Sequence, residues 1–278
     1  MEPLVSIIIP CFNQSGFIGE TIGCLNKLQY QNWEAIIVND GSTDDSEKTI
    51  LAIIANLPKF RYVKQENKGL AEARNAGIRI SNGKYILPLD ADDLISPDYI
   101  SEAVEYLEHN PQTGIVYANA EFFGEKQGLW ELPDFSMQQM LTMNCIFCTS
   151  LFRKEDFDRT KGYNPAMVYG WEDWDFWLTL IELGRKVHKI DKTHFYYRIR
   201  SESMLRTMSV EQRKQLKNLI FKNHLNLYGS FYDSPAIFSE ENHKLKTQLK
   251  NITCSPEYRY FHKLFNVLRK ALGKKTFL

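Results

Sequence analysis

Tyr85-Ile-Leu-Pro-Leu-Asp-Ala-Asp-Asp93 is an apolar run that ends directly in three carboxylates. Apolar runs of this length, bounded by polar residues, are typical of buried strands in parallel sheets. The same pattern occurs at 5–13 and 35–42, where apolar residues run into Pro10 and into a turn that begins at Asn39. Ligands of such sheets bind beyond the carboxyl ends of the strands, so we expect the chemistry in these loops.

Helical patterns separate these strands along the first 119 residues. Strands that alternate with helices predict an α/β fold, in which a mostly parallel, Rossmann-like sheet has helices on both faces. The predicted strands lie at 5–9, 35–38, 60–64, 85–89 and 114–118, and the predicted helices at 18–25, 50–57, 70–80 and 97–107.

After residue 119 the alternation stops, which predicts a change in architecture. We predict a domain at 1–205, with halves at 1–119 and 120–205, and a helical C-terminal extension at 206–278. The predicted elements are aromatic-rich loops with one short helical piece at 120–170, a helix at 173–183, strands at 187–190 and 195–199, a long helix at 210–227, and a linker with a short polar helix at 228–256.

Composition and charge exclude several classes of protein. The 278 residues include 34 Lys and Arg against 34 Asp and Glu, a balance that gives no argument for a nucleic-acid partner. No apolar run reaches the length of about eighteen residues that a transmembrane helix needs, and the N-terminus lacks the features of a secretory leader. The five cysteines fit a reducing compartment, so we expect a cytoplasmic location.

Asp90, Asp92 and Asp93 form the sharpest chemical signal in the sequence. Without a cation, carboxylates this close repel one another and raise one another's pKa. Mg²⁺ or Mn²⁺ resolves the conflict, because each takes carboxylate and phosphate oxygens together. The alternative is an acidic turn in which Asp93 or Ser96 caps the next helix, and the apolar strand before the acids favours the cation site.

Three further loops carry candidate groups, each with a structural alternative. Asp40 could accept hydrogen bonds from a base or a ribose, or belong to a turn. Arg74 could bind phosphate or carboxylate oxygens, or lie on the surface of a packed helix. Trp171 could form an aromatic wall that desolvates Asp173 for work as a general base, or the acids there could simply complement a helix dipole.

Together, five segments resemble glycosyltransferase family 2, whose members have the GT-A fold. The resemblance covers roughly residues 4 to 200, with the segments in the family's order. They are residues 6–13 (SIIIPCFN), residues 38–44 (VNDGSTD), Asn67-x-Gly69-x-x-x-Ala73-Arg74-Asn75-x-Gly77, Asp90-Ala91-Asp92-Asp93 and Trp171-Glu172-Asp173.

The resemblance implies an inverting enzyme that moves a hexosyl or N-acetylhexosaminyl group from a nucleotide-diphosphate sugar, with a UDP-sugar as the expected donor. The acceptor would be a hydroxyl of a glycan or a lipid-linked molecule in cell-surface polysaccharide or glycoconjugate synthesis. The implied site consists of a general base at Asp173 with Glu172 beside it, Mn²⁺ or Mg²⁺ at Asp92 and Asp90, acceptor binding at Trp171, and nucleotide-sugar binding at Pro10, Phe12, Asn13, Asp40, Gly69, Arg74, Asp90, Ala91, Asp92 and Arg200.

Two positions depart from the family's pattern. Asn39 stands where the first of two acids is usual, and it can still form hydrogen bonds. Arg200 stands where the family often has a histidine that can bind the metal. A charged guanidinium cannot be a metal ligand, so Arg200 could pair with the diphosphate instead.

Residues 257–275 combine basic residues with an apolar helical face. A basic amphipathic helix can lie on an anionic membrane, which predicts peripheral contact with the inner face of the cell membrane. The alternative is a helix that packs on the catalytic domain and turns its basic face to water. The basic residues are Arg259, Lys263, Arg269, Lys270, Lys274 and Lys275, and the apolar ones Phe261, Leu264, Phe265, Leu268 and Leu272.

Two other functions are compatible with these residues. A sugar nucleotidyltransferase also joins a nucleotide, a metal and a sugar, but it attacks phosphorus and releases pyrophosphate. A catalytically silent glycan-binding domain could share the fold, although the intact Asp92 and Asp173 argue against it.

Overall fold

The structure is a computed structural model that describes residues 2–200 and 208–271. The chain forms two compact units, Met1–Leu225 and Asn226–Leu278. Within the described residues, no helix is long and apolar enough to cross a membrane.

The first unit is built on one sheet, which has nine strands within the described residues. Its order is β3-β2-β1-β4-β8-β6-β9-β5, and β7 pairs with β6 outside this path. The strands are β1 (Val5–Cys11), β2 (Trp33–Asp40), β3 (Phe60–Gln65), β4 (Tyr85–Pro88), β5 (Leu94–Ile95), β6 (Thr113–Gly124), β7 (Gly128–Trp130), β8 (Leu151–Arg153) and β9 (Lys186–Ile199).

Helices alternate with the strands in the first half of this unit, as predicted. The first unit contains α1 (Ile18–Leu25), α2 (Ser46–Ile54), α3 (Leu70–Arg79), α4 (Tyr99–His109), α5 (Met137–Met140), α6 (Lys154–Phe157), α7 (Glu172–Glu182) and α8 (Val210–Asn223). The helices that follow are α9 (Leu225–Phe231), α10 (Pro235–Cys254) and α11 (Pro256–Ala271).

The predicted α/β class, with parallel strands in the first half, is confirmed. β3, β2, β1 and β4 pair in parallel, in the register Ala35↔Phe60 and Ile7↔Ala35 and Val5↔Tyr85. The prediction of aromatic-rich loops with one short helical piece at 120–170 was wrong about the loops, because β6 continues to Gly124, β7 follows it, and β8 inserts antiparallel between β4 and β6. β8 is only three residues long, too short for a periodic signal in the sequence.

The C-terminal part differs from the prediction at two places. The first unit extends past the predicted division after residue 205, because Leu216 and Ile220 of α8 are buried. The prediction of a linker and a short polar helix at 228–256 was wrong, because α10 alone has 20 residues. Ser234 caps it by accepting a hydrogen bond from the Ile237 amide, and its largely exposed side chains leave little apolar periodicity to detect.

One close approach positions the helix that carries Arg74. A Cβ added at Gly77 of α3 would lie 2.6 Å from Ile8 Cγ2 on β1, well inside van der Waals contact. Glycine therefore lets α3 pack directly on the central strand. All seven residues of β1 are buried, so α3 packs against a strand that its close-packed surroundings hold in place.

Candidate active site

Arg74 connects two segments that are far apart in the chain. Its Nη2 atom lies 2.6 Å from Asp90 Oδ1 after β4, and its Nη1 atom donates to Glu172 Oε1 at the start of α7. The guanidinium is only 1% exposed, and although burial opposes its charge, Asp90 and Glu172 hold the pKa of Arg74 well above its usual value. Arg74, Asp90 and Glu172 therefore form an ion triad. It holds the acid cluster, which consists of Asp90, Asp92 and Asp93, against the start of α7.

Burial and neighbouring carboxyls disfavour the charged forms of Asp92 and Asp93 in the acid cluster. Burial, and then the charge of Asp90, raises the pKa of Asp92. Burial, and then Asp92 and Asp90, raises the pKa of Asp93 well above its usual value. Asp93 Oδ1 accepts a hydrogen bond from the Arg198 amide at 2.8 Å, but its buried Oδ2 has no partner among the described residues. Carboxyl oxygens gathered in this way are the ligands that a hard divalent cation prefers.

Arg200 joins this cluster from the end of β9. Its Nη2 lies 2.7 Å from Asp92 Oδ2, and its Nη1 donates to Gln14 Oε1 at 3.2 Å. Its guanidinium also lies over the Phe17 ring, 4.7 Å from the ring centre. Arg200 thus connects Asp92 to the loop after β1. Its positive charge lies at a carboxylate that a metal cation would otherwise have to neutralise.

Asp173, the predicted general base, lies in the first turn of α7. Its Oδ2 accepts a hydrogen bond from Asn144 Nδ2 at 3.0 Å, and its Oδ1 accepts one from the Trp174 amide at 2.8 Å. Burial, and then the neighbouring Glu172, raises the pKa of Asp173 to about 7. A carboxylate with this pKa can take a proton near neutral pH.

A left-handed residue sets up the start of α7. Trp171 has a φ of +62°, which is rare for a residue with a Cβ, and Gly170 before it has a φ of +112°. The turn lets Glu172 reach inward to Arg74 while Asp173 faces Asn144. Such strain is held at functional sites by the surrounding contacts.

Asp40 organises the loop before α3. Its Oδ1 accepts from the Lys68 amide at 2.8 Å and from Gln65 Nε2 at 2.7 Å, and its Oδ2 accepts from the Gly69 amide at 2.8 Å. Gly69 has a φ of +87°, which suits a glycine. Each carboxylate oxygen accepts up to two hydrogen bonds, so Oδ2 retains capacity for a ligand.

The loop after β1 packs against the loop after β2. Asn13 adopts a φ of +55°, and its Oδ1 accepts from the Thr43 amide at 2.8 Å. Asn39 also helps, since its Oδ1 accepts from the Ser42 amide at 2.9 Å. Phe12, next to Asn13, is 44% exposed and free to face a ring, whereas Pro10 is buried.

Direct contacts join Arg74 to Asp90 and Glu172 and join Arg200 to Asp92, whereas Asp173 contacts Asn144 and the Trp174 amide. Asn13 and Asp40 lie in the loops at the ends of β1 and β2. Ala91 is buried within the acid cluster. Sequence reasoning missed Asn144, which contacts Asp173, and Cys148, whose Sγ lies 3.8 Å from Asp90 Oδ2. Both belong to the stretch predicted as loops, where no periodic signal points inward.

The sequence profile of "Glycosyl transferase family 2" matches residues 6–164. The chain belongs to this family. The match confirms the family that the five segments predicted. A second profile, the "N-terminal domain of galactosyltransferase", matches residues 135–202 of this family 2 chain, the part that carries Asp173 and Arg200.

Relatives of this family 2 chain include synthases of bacterial polysaccharides. It is 30% identical to the UDP-Glc:alpha-D-GlcNAc-diphosphoundecaprenol beta-1,3-glucosyltransferase WfaP of Escherichia coli, over 82% of this chain and 92% of that protein. It is 28% identical to the chondroitin synthase of Escherichia coli over 67% of this chain. That match spans only 28% of the synthase's length.

Solved structures support the fold. The chain aligns with S. aureus TarS in complex with UDP-GlcNAc at a TM-score of 0.63 and 18% identity, over 92% of this chain and 77% of that one. It aligns with the mannosyltransferase PcManGT from Pyrobaculum calidifontis, in complex with GDP-Man and Mn²⁺, at a TM-score of 0.59 and 15% identity, over 94% of this chain and 83% of that one. The predicted GT-A fold is confirmed.

Proposed function

We propose that the chain is an inverting glycosyltransferase that moves a sugar from a nucleotide-diphosphate sugar to a hydroxyl of a glycan or lipid-linked acceptor. The observation that carries this proposal is the ion triad, in which Arg74 holds Asp90 and Glu172 together. It sets a carboxylate with a pKa of about 7, Asp173, beside a cluster of acids that suits a cation and a diphosphate.

In this mechanism Asp173 accepts the proton of the acceptor hydroxyl. The acceptor oxygen forms a bond to the anomeric carbon, while the bond from that carbon to the diphosphate oxygen breaks on the opposite face. The nucleoside diphosphate leaves with the electron pair, and the anomeric configuration inverts. Holding both substrates in line contributes much of the rate. Glu172 would contribute to this alignment because its ion pair with Arg74 holds the start of α7, which carries Asp173.

The donor half of the site would bind the nucleotide through the loops after β1 and β2. The exposed Phe12 offers a ring face to the base, and Asp40 Oδ2 can accept a further hydrogen bond from the base. Asp90 and Asp92 would hold Mn²⁺ or Mg²⁺, which neutralises charge on the diphosphate when bound. Arg200 would pair with the same phosphate oxygens after giving up its contact with Asp92 or Gln14.

Arg74 was predicted to bind the diphosphate, and this stays a prediction. Its burial and its two carboxylate partners favour a role in positioning Asp90 and Glu172. A buried guanidinium with both terminal nitrogens engaged would have to break an ion pair to reach a phosphate.

The relatives support a UDP-sugar donor and a lipid-linked acceptor. WfaP is named for UDP-Glc and for a GlcNAc-diphosphoundecaprenol acceptor, and TarS is seen with UDP-GlcNAc. A hexosyl or N-acetylhexosaminyl transfer in cell-surface polysaccharide synthesis is therefore our proposal. PcManGT, seen with GDP-Man, makes GDP-mannose the second donor to try.

Contact with an anionic membrane at the cytoplasmic face is part of this proposal. α11 exposes aromatic and aliphatic side chains, among them Phe261 at 65% and Phe265 at 53%. Such a helix can insert its apolar face between lipid headgroups while Arg259 and Lys263 meet the anionic surface. Leu272, Lys274 and Lys275 of the predicted segment lie outside the described residues.

Product analysis tests the proposed function. The enzyme is incubated with Mn²⁺, a lipid-linked GlcNAc-diphosphate and each nucleotide sugar of a panel that binding has first selected by thermal shift. Release of nucleoside diphosphate together with a β-linked product from an α-linked donor supports the proposal. Release of pyrophosphate would identify a nucleotidyltransferase, and glycan binding without turnover of any donor would identify a silent domain.

A further inference from the structure

A cavity of about 580 Å³ opens beside the candidate general base in the first unit. Asn144 lines it and also donates a hydrogen bond to Asp173 Oδ2 at 3.0 Å. Trp171 and Trp174 form one wall, with their rings edge to face and 5.5 Å apart. The cavity has the size of a small-ligand site, and aromatic walls of this kind stack against sugar rings.

The opposite wall of this cavity is cationic. Arg213, Lys214 and Lys217 of α8 line it, and their side chains are exposed. Spacings of three and four residues place Lys217 on the same helix face as Lys214 and Arg213. None of the residues that line the cavity is acidic, and within the described ranges neither Lys214 nor Lys217 forms an ion pair.

α8 is fixed relative to the helix that carries Asp173. Asn223 at the end of α8 donates to Asp175 Oδ1 of α7 at 2.7 Å. His224, directly after α8, lies 3.0 Å from Glu182 Oε2 at the end of α7. At its other end, a capping box formed by Ser209 and Gln212 sets where α8 begins. The backbone that carries the three basic residues is therefore held in place against α7.

Lys214 and Lys217 lie three positions apart on one helix face, and an anion would offset the repulsion between them. An oxyanion there would gain charge-assisted hydrogen bonds, while the partly exposed Trp171 offers its ring to the sugar that carries it. Asn144 would place such a sugar close to Asp173. The charge, the shape and the position of the cavity thus all favour one kind of ligand, a sugar that carries an oxyanion.

We propose that this cavity selects an acidic acceptor, whose phosphate or carboxylate oxygens bind to Arg213, Lys214 and Lys217. The inference rests on the proposed function, because it names the acceptor class of the same site. It adds a specificity element outside the five segments of the family pattern, on a helix that follows them.

The test compares Lys214→Ala/Lys217→Ala with the wild type and with Lys222→Ala, an exposed lysine of α8 that does not line the cavity. Three probes are titrated in the presence of the nucleoside diphosphate: a GlcNAc-diphosphate with a short alkyl chain, a disaccharide ending in glucuronic acid, and a neutral disaccharide. We expect the double variant to lose roughly tenfold in affinity for whichever acidic probe the wild type binds, and nothing for the neutral one.

The acidic probe that binds the wild type more tightly identifies the source of the oxyanion. With that acceptor, the KM of the double variant should rise by a similar factor, while kcat and the donor KM stay unchanged. Equal affinity of wild type and double variant for both acidic probes, or a wild type that binds neither acidic probe more tightly than the neutral one, would overturn the inference and leave the proposed function intact. Pyrophosphate release by the wild type would overturn the function. An altered donor affinity would expose a folding defect, and the single variants Lys214→Gln and Lys217→Gln, which remove one charge and keep a long side chain, then carry the comparison.

Discussion

Arg200 Nη2 lies 2.7 Å from Asp92 Oδ2, so a side-chain cation occupies one carboxylate of the proposed metal pair. The family often has a neutral histidine at this position, which would leave the carboxylate open. In this chain a divalent cation has to compete with the guanidinium for Asp92. The contact therefore bears directly on how tightly the enzyme binds its metal.

Replacing Arg200 by His should tighten Mn²⁺ binding several-fold, because it removes a competing charge and adds a ligand. Calorimetric titration of Mn²⁺ into the nucleotide complex measures the change. Lys189→Ala, on the strand that Arg200 follows but paired with Asp134, serves as the control and should leave the titration unchanged. Weaker Mn²⁺ binding in Arg200→His would show that Arg200 supports the metal site.

Asp173→Asn should lower kcat by a factor of about 10² to 10⁴, the range for loss of a general base. The amide keeps the shape of the side chain, but it can accept only one of the two hydrogen bonds that Asn144 and the Trp174 amide donate, and it cannot take the acceptor's proton. Donor affinity, measured by thermal shift, should stay nearly the same. Asp158→Asn, at a 53% exposed surface acid, should retain full turnover. Turnover that survives in Asp173→Asn would move the base to another residue.

The pH profile should report the same carboxylate. Since Asp173 must be deprotonated to act, and burial and Glu172 raise its pKa to about 7, kcat/KM should rise with pH through this value and then level off. Asn144 donates a hydrogen bond to the charged form and so lowers the pKa. Asn144→Leu should therefore shift the rising limb to higher pH. A shift to lower pH would contradict the contact.

Arg74→Met should destabilise the first unit by about 3 to 5 kcal/mol, because Asp90 and Glu172 then face each other without a cation. Urea unfolding, followed by tryptophan fluorescence, measures the loss. Arg79→Ala lies on the same helix, but its arginine is 54% exposed and pairs with Glu72 at 3.4 Å. It should change the free energy of unfolding by less than about 1 kcal/mol. Equal effects of the two substitutions on the free energy of unfolding would show that the ion triad does not stabilise the site.

Gly77→Ala should cost about 1 to 3 kcal/mol of stability, because its Cβ meets Ile8 Cγ2 at 2.6 Å. Gly23 of α1 offers a matched control, since a Cβ added there meets nothing within 4 Å. Gly23→Ala should stabilise the protein by about 0.5 to 1 kcal/mol. Thermal unfolding of both variants measures whether each substitution lowers or raises the stability of the protein. A stabilising Gly77→Ala would mean that α3 can move away from β1 without loss.

The sequence determined the parts of this protein that depend on local pattern. β1, β2 and β4 end at Cys11, Asp40 and Pro88, close to the predicted ends at 9, 38 and 89, because strand propensity and turn chemistry act over a few residues. Since parallel strands of one sheet end at the same edge, their loops had to meet there. Since four of the five family segments include these loops, the sequence also predicted at which edge of the sheet the site lies.

Only the tertiary structure decided which charges pair. Arg74 and Glu172 are 98 positions apart, and nothing local predicts that they touch or that Arg200 binds Asp92. The same holds for β8 and for the cavity between Trp171 and Lys217, since each joins segments whose own patterns are weak. Side-chain pairing depends on distances across the fold, and burial then sets its strength, so the pKa of Asp173 belongs to the packed protein and not to the segment that carries it.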